Sequence, residues 1–387
     1  MANPGPGGGP SNVVYLQVAA PEATVTFANA ANSPLPVQEP FGIVAADFNE
    51  DGKPDLAVAG NVKMYVFLGN GDGTFAPNPP MSIPSPPYAD FASPYVGPIA
   101  VGDFNHSGHQ GLAVGEFNNE AAVILLGNGS GSFTPSSASF ANAFALPINA
   151  LDAADFNADG NLDLAIINGV GYQAPVALGY GNGAFNSAGT LPDSAGFAAD
   201  AVVGDFNGDG KLDVIVANGG VTADGGSSGV TISLGNGDGT FTQANVSPIA
   251  VGQSLSAIVA ADFNGDGKLD LAVTDSSGNA VIILLGNGDG TFGAPTTIPV
   301  GNGPDAIVAG DFNNDGKLDL AVANFTDGTI TLLLGNGNGT FTPAASSPYA
   351  VGKGPYQVAA ADFNGDGKLD VAVVNLTDGT VSILLQQ

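Results

Sequence analysis

Residues 257–292 read AIVAADFNGDGKLDLAVTDSSGNAVIILLGNGDGTF, and the order of residue types in this stretch decides the fold. A short apolar run leads into an acidic loop, Asp262 to Asp270, and a second apolar run, LAV, resumes directly after it. A third run, VIILL, ends in N-G and D-G pairs, which supply the positive φ angles that tight hairpin turns demand. Runs this short, punctuated by turn residues, read as β-strands. The order recurs along the chain: DFN appears with its first Asp at 47, 103, 155, 205, 262, 311 and 362, in copies 49 to 57 residues apart. After each GTF a looser stretch, often with Pro, leads to the next DFN and supplies a fourth strand. Four strands in a unit of about 50 residues is the pattern of a propeller blade, which cannot bury both of its faces alone. The expected architecture is therefore all-β: a seven-bladed β-propeller of four-stranded blades.

The chain ends support a closed ring over a linear array. The seventh copy stops at VSILLQQ, before a GNGDGTF turn and before its fourth strand. Phe27 lies 20 residues before Asp47, while Phe241, Phe292 and Phe341 lie 21, 19 and 21 residues before their next DFN Asp. The N-terminal segment is thus expected to complete the last blade, which also covers two sheet edges. Residues 1–12 read as a flexible leader and residues 13–387 as one propeller domain. A further apolar run, Val13 to Ala19, offers an extra strand or a point of self-association with a neighbour.

Composition narrows the chemistry. The 387 residues hold 7 Lys and no Arg against 36 acids, a formal charge of −29, which excludes nucleic acid as a partner because phosphate binding needs clustered basic side chains. With no Cys there is no disulfide, thiol nucleophile or Cys-based zinc site, so something else must hold a turn-rich chain together. No apolar run is long enough to span a bilayer, so membrane insertion is not expected, and the opening MANPGPGGGP lacks the basic and apolar regions of a signal peptide.

The acidic loop carries the clearest chemistry. In copies one and three to seven it reads D-x-N-x-D-G-x-x-D: side-chain oxygens at loop positions 1, 3, 5 and 9, a backbone carbonyl at 7, and Gly at 6 for the sharp turn. That is a donor set for a hard cation such as calcium. Three carboxylates in nine residues repel one another without one. The alternative, a metal-free Asx-rich turn, does not need six copies in phase with the repeat. Copy two departs: Asp103, Asn105 and Ser107 are followed by His109, with Gly111 in place of the last Asp, so metal binding there is expected to be weak or lost. His106 and His109, the only histidines, read as drift in that loop, the alternative being a catalytic or transition-metal role. The Phe of DFN and of GTF recur in phase, as core residues between blades do.

Taken together, the DFNxDGxxDLxV pattern followed by LGNGDGTF resembles FG-GAP or VCBS repeats, found in the seven-bladed propeller of integrin alpha subunits, in some fungal lectins and in many bacterial surface and secreted proteins. The resemblance spans about Phe27 to Leu385. It implies calcium at about six sites, the position-7 residue giving its carbonyl: Asp47, Asn49, Asp51, Lys53, Asp55; Asp155, Asn157, Asp159, Asn161, Asp163; Asp205, Asn207, Asp209, Lys211, Asp213; Asp262, Asn264, Asp266, Lys268, Asp270; Asp311, Asn313, Asp315, Lys317, Asp319; and Asp362, Asn364, Asp366, Lys368, Asp370. It also implies an extracellular or cell-surface setting and a non-catalytic, lectin-like binding or adhesion role toward a glycan or surface protein. A structural subunit of a surface assembly or filament is the alternative. A polysaccharide lyase or hydrolase is disfavoured, because there is no Arg, both histidines sit in one altered loop, and most carboxylates are already assigned. Ligand contacts are expected on the longest connections, at Tyr88, Phe91 and Tyr95 in a Pro-rich loop and at Asp224 in a Gly/Ser-rich one.

Overall fold

A computed structural model describes residues 13–14, 24–61, 63–83, 96–116, 121–137, 140–141, 147–168, 174–192, 197–220 and 228–387. Every regular element among them is a β-strand, so no helix is long and apolar enough to cross a membrane. The strands form seven sheets of antiparallel blade strands, six of them ordered from an innermost strand outward in sequence order, while the seventh takes its outermost strand from the N-terminus. Blade 5 is representative: Leu255–Ala261, Asp270–Asp275, Ala280–Leu284 and Thr296–Pro299. In five blades the fourth strand comes as two short pieces on the same partner, as with Phe75–Pro77 and Met81–Ser82 on Lys63–Gly69. Each innermost strand lies against the next, and the seventh, Pro355–Ala361, lies against the first, Gly42–Ala46, so the ring is closed.

Closure runs through the N-terminus as its spacing predicts. Phe27–Asn29 pairs antiparallel with Thr380–Gln386, and the register sets Phe27 opposite Gln386 as Phe75 sits opposite Gly69 in blade 1. The other apolar N-terminal run is used within the chain: Val13–Val14 pairs in parallel with the innermost strand of blade 6, at Ala309 and Gly310. Residues 15–19 of that run, like the leader, lie outside the described residues.

The second strands read LAV because they are buried on both faces. In blade 5, Leu271 and Val273 face the core shared with blade 4, while Ala272 between them faces the core shared with blade 6. Seven such cores, one per junction, hold the ring together. An aromatic pair sits in each: the DFN Phe of one blade meets the GTF Phe of the next, as in Phe263–Phe341 at 5.5 Å and Phe363–Phe75 at 5.4 Å. Phe27 fills that role at the closing junction, 6.3 Å from Phe312, with their rings near perpendicular.

Candidate metal centres

The acidic loops and the GNGDG turns emerge on one face of the ring, because the first joins strand one to two and the second joins strand three to four. They are bonded across blades. The N–H of the last turn glycine donates to the DFN Phe carbonyl of the preceding blade at 2.8 to 3.3 Å, in the pairs Gly73–Phe363, Gly131–Phe48, Gly183–Phe104, Gly239–Phe156, Gly290–Phe206 and Gly339–Phe263.

Within each intact loop one hydrogen-bond set recurs. In blade 5, Asp262 Oδ1 accepts from the N–H of Gly265 (2.7 Å) and Asp266 (3.1 Å), and its Oδ2 accepts from Gly267 (2.8 Å). Asn264 Oδ1 accepts from Asp266 N–H at 2.8 Å, and Asp266 Oδ1 from Lys268 N–H at 3.0 Å. These are nested Asx turns, which explains why short polar side chains stand at positions 1, 3 and 5. Gly267 takes φ +83°, a left-handed conformation costly for any residue with a Cβ.

The position-9 aspartate does something different. Asp270 is fully buried; its Oδ2 accepts from Phe263 N–H at 3.0 Å and its Oδ1 from Gly286 N–H at 2.8 Å. It therefore staples the loop to the end of the third strand. The glycine there is needed, since a Cβ at Gly286 would overlap the Leu269 carbonyl. Burial, and after it repulsion from the position-1 and position-5 carboxylates, pushes Asp163, Asp213 and Asp270 up to about 6 and Asp319 and Asp370 to about 7, against backbone hydrogen bonds that pull the other way. Asp55 is raised by burial too.

This donor set fits a hard divalent cation. Every candidate ligand atom is oxygen, Asp262 Oδ2, Asn264 Oδ1 and Asp266 Oδ1 each accept one hydrogen bond and keep a second lone pair, and the three carboxylates already feel one another's charge. Among the described residues no three carboxylate or imidazole groups converge by themselves as a finished cage, so the donor set depends on the Asn side chain and the position-7 carbonyl as well. Lysine at position 7 places its Nζ 3.2 to 3.8 Å from the position-5 carboxylate in four loops, a solvent-exposed pair of small energetic weight.

Two loops stand apart. In blade 6, Asp311, Asn313 and Asn314 are buried where the corresponding residues elsewhere reach water, and burial raises Asp311. Val13–Val14 pairs with the two residues just before this loop. In blade 2, Asp103 keeps its backbone bonds, and Ser107 Oγ takes the position-5 role by accepting from His109 N–H at 3.2 Å. Its two histidines part to opposite neighbours: His109 Nδ1 lies 2.5 Å from Glu50 of blade 1, and His106 Nε2 lies 2.8 Å from Asn161 of blade 3. They tie blades together and share no ligand position. The expected ligand contacts at Tyr88, Phe91, Tyr95 and Asp224 lie outside the described residues.

A second cluster, on the face away from the loops, was missed by sequence reasoning. At the starts of the innermost strands, Asp200 Oδ2 accepts from Ile258 N–H across a blade junction at 3.0 Å, and Phe41 packs edge-on to Tyr356 at 6.2 Å. Burial pushes Asp200 up to about 7 and Asp305 to about 6, and raises the Tyr356 hydroxyl, to which both carboxylates add. The legible signal is positional: Asp305 and Tyr356 each precede their DFN Asp by six residues, where other copies vary freely. A carboxyl group raised by folding stabilises the protein most below the ordinary carboxylate range, and that stability is lost as pH rises from about 4 to 7. Asp200→Asn is therefore expected to stabilise the protein by about 1–2 kcal/mol at pH 8, the amide keeping only one of the two hydrogen bonds that the carboxylate accepts from Ala201 and Ile258, and by much less at pH 4. Denaturant unfolding at both pH values checks this; an equal effect at the two would contradict it.

Comparison with known proteins agrees with the repeat. A family described as FG-GAP-like repeat matches residues 47–114, 103–166, 155–216, 220–273, 262–322 and 311–373. Five of the six matches run from one acidic loop into the second strand of the next blade, and the one at 220–273 begins just after the second strand of blade 4 and ends in that of blade 5. No curated protein sequence matches the chain. Among solved structures, the chain is similar to a lectin of Agrocybe aegerita described as recognising non-reducing terminal N-acetylglucosamine, at 21% identity over 88% of this chain and 86% of that one, with TM-score 0.56. It is also similar to a protein of Lactobacillus plantarum (16% identity, 83% and 87% covered, TM-score 0.61) and to BBS1N in complex with ARL6DN (14%, 93% and 96%, 0.61). At these identities the likeness shows the shared fold alone.

Proposed function

Because the chain belongs to the FG-GAP-like repeat family, we propose that it is an extracellular, calcium-stabilised propeller acting as a non-catalytic binding module for a glycan or a surface protein. The observation that carries this reading is the recurrence, in six of seven blades, of one hydrogen-bonded loop with the same oxygen donors on one face of a closed ring. In each loop the position-1, -3, -5 and -9 side chains and the position-7 carbonyl would hold the ion. Calcium supplies charge neutralisation and cross-links the loop, and it takes the place that disulfides hold in other turn-rich extracellular folds. Millimolar calcium outside cells suits sites of modest affinity.

A binding role is favoured over an enzymatic one by how the carboxylates are used. The raised position-9 aspartates are engaged by two or three backbone N–H groups each, and Asp200 by two, so none of these stands as a free acid; Asp305, raised by burial alone, lies on the opposite face from the loops. The ring exposes two loop-bearing faces, and fold relatives include a glycan-recognising lectin and a protein bound to a partner. The reading of a polymerising surface subunit loses one support, since Val13–Val14 pairs within its own chain. The test is an array of neutral and acidic glycans probed with the calcium-loaded protein alongside a turnover assay. Retention without cleavage supports a binding module; turnover of any arrayed glycan overturns it.

A further inference from the structure

The loop face departs from its own repeat in one sector, blades 2 and 3. The second loop keeps Asp103 alone of the three carboxylates, and the turns that carry Asp72, Asp238 and Asp289 in blades 1, 4 and 5 carry Ser130 and Asn182 here. Blade 6 shares the loss at Asn338, but its turn stands between two intact acidic loops. On a chain of charge −29, the loops and turns of blades 2 and 3 hold the fewest carboxylates of any adjacent pair on this face.

The same sector holds the most exposed large apolar side chain described, Tyr180 at 59%. Its turn position is Asn in the five other turns. In blades 1, 4, 5 and 6 that Asn is tied down, donating from Nδ2 to a Thr Oγ1 at 2.8 to 2.9 Å. Blade 3 has Ala184 in place of the Thr, so no such bond holds the Tyr180 ring, although the turn backbone is intact, with Tyr180 N–H donating to the Ala184 carbonyl at 2.9 Å. The ring is thus presented on a rigid support. At its foot the next residue, Gly181, lies so close to Asn161 and His106 that a Cβ would overlap both, and those two side chains are bonded to each other at 2.8 Å.

We propose that Tyr180, with the His106–Asn161 pair beside it, is a docking platform for a neutral saccharide; this rests on the glycan-binding reading above. An exposed aromatic face suits stacking on the C–H face of a pyranose, an amide and an imidazole supply hydrogen bonds to ring hydroxyls, and the missing carboxylates remove a desolvation cost that the other sectors would impose. Charge selects the class: bound calcium offsets only part of the chain's formal charge of −29, so an anionic saccharide is repelled by the protein as a whole, while a neutral one is not.

The test uses the full calcium-loaded chain on an array of neutral and acidic glycans, followed by titration with the best neutral saccharide found. Tyr180→Asn installs the residue that five other turns already carry, so folding is preserved, and an unchanged melting temperature verifies it. Loss of about tenfold or more in affinity for Tyr180→Asn, with Tyr180→Phe within about threefold of the parent, supports the platform. Unchanged affinity in Tyr180→Asn overturns the platform and leaves glycan binding standing. Binding of acidic glycans only overturns the neutral class. No glycan retained by the parent protein overturns the glycan reading itself, and the platform with it.

Discussion

Removing calcium with EGTA is expected to lower the melting temperature by about ten degrees. With a dissociation constant on the order of 10⁻⁴ M, typical of extracellular sites, about 1 mM calcium stabilises each loop by roughly 1.4 kcal/mol. Six independent loops then contribute roughly 8 kcal/mol, comparable to the whole stability of an ordinary domain. For a chain of this length the unfolding entropy near the midpoint is about 0.8 kcal/mol per degree, which turns that figure into the stated shift. The position-9 aspartates explain why the effect reaches the fold: each one both belongs to the donor set and staples its loop to the third strand. A melt unchanged by EGTA would remove calcium from the account of stability.

Deleting residues 1–30 is expected to be the most damaging truncation of the ring. It removes the strand Phe27–Asn29 from the edge of Thr380–Gln386, the Phe27 ring from its contacts with Phe312 and with Tyr349 at 4.9 Å, and the Val25 carbonyl that accepts from the Tyr349 hydroxyl at 2.7 Å. Val25 and Ala30 are also lost from two blade junctions. Burial and cavity terms together amount to a loss on the order of 6 kcal/mol, and the edge at Leu384–Gln386 is left open to other chains, Leu35–Pro36 still covering Thr380 and Val381. The expected result is a melting temperature lower by several degrees and concentration-dependent aggregation. A truncated chain that melts within a degree or two of the parent and stays monomeric would mean that blade 7 closes by other means.

Much of this was legible because the repeat writes its structure in phase. The distance from Phe27 to Asp47 identifies the closing strand, since a GTF Phe must arrive at its junction a fixed distance before the next loop. The loop donors were equally plain, as Asx turns and cation ligands call for the same residues at positions 1, 3 and 5. Other features were hidden for physical reasons. Pairing between the two recurrent phenylalanines is a contact between neighbouring blades, and one copy read by itself gives each only as core. The position-9 aspartate reads as a ligand, and its second task as a backbone staple depends on a strand end some 16 residues away. Asp200, Asp305 and Tyr356 come together only through ring closure, from positions where the copies vary. Tyr180 is a single substitution in a turn, and its meaning rests on the missing Thr anchor and on His106 from another blade.

Six of the seven loops are proposed as calcium sites, and at the second, binding is expected to be weak or lost. Isothermal titration of chelator-stripped protein with calcium counts them directly. Six ions per chain, with no added ion at blade 2, is the predicted result; no binding at millimolar calcium, or a stoichiometry of seven, would contradict the account.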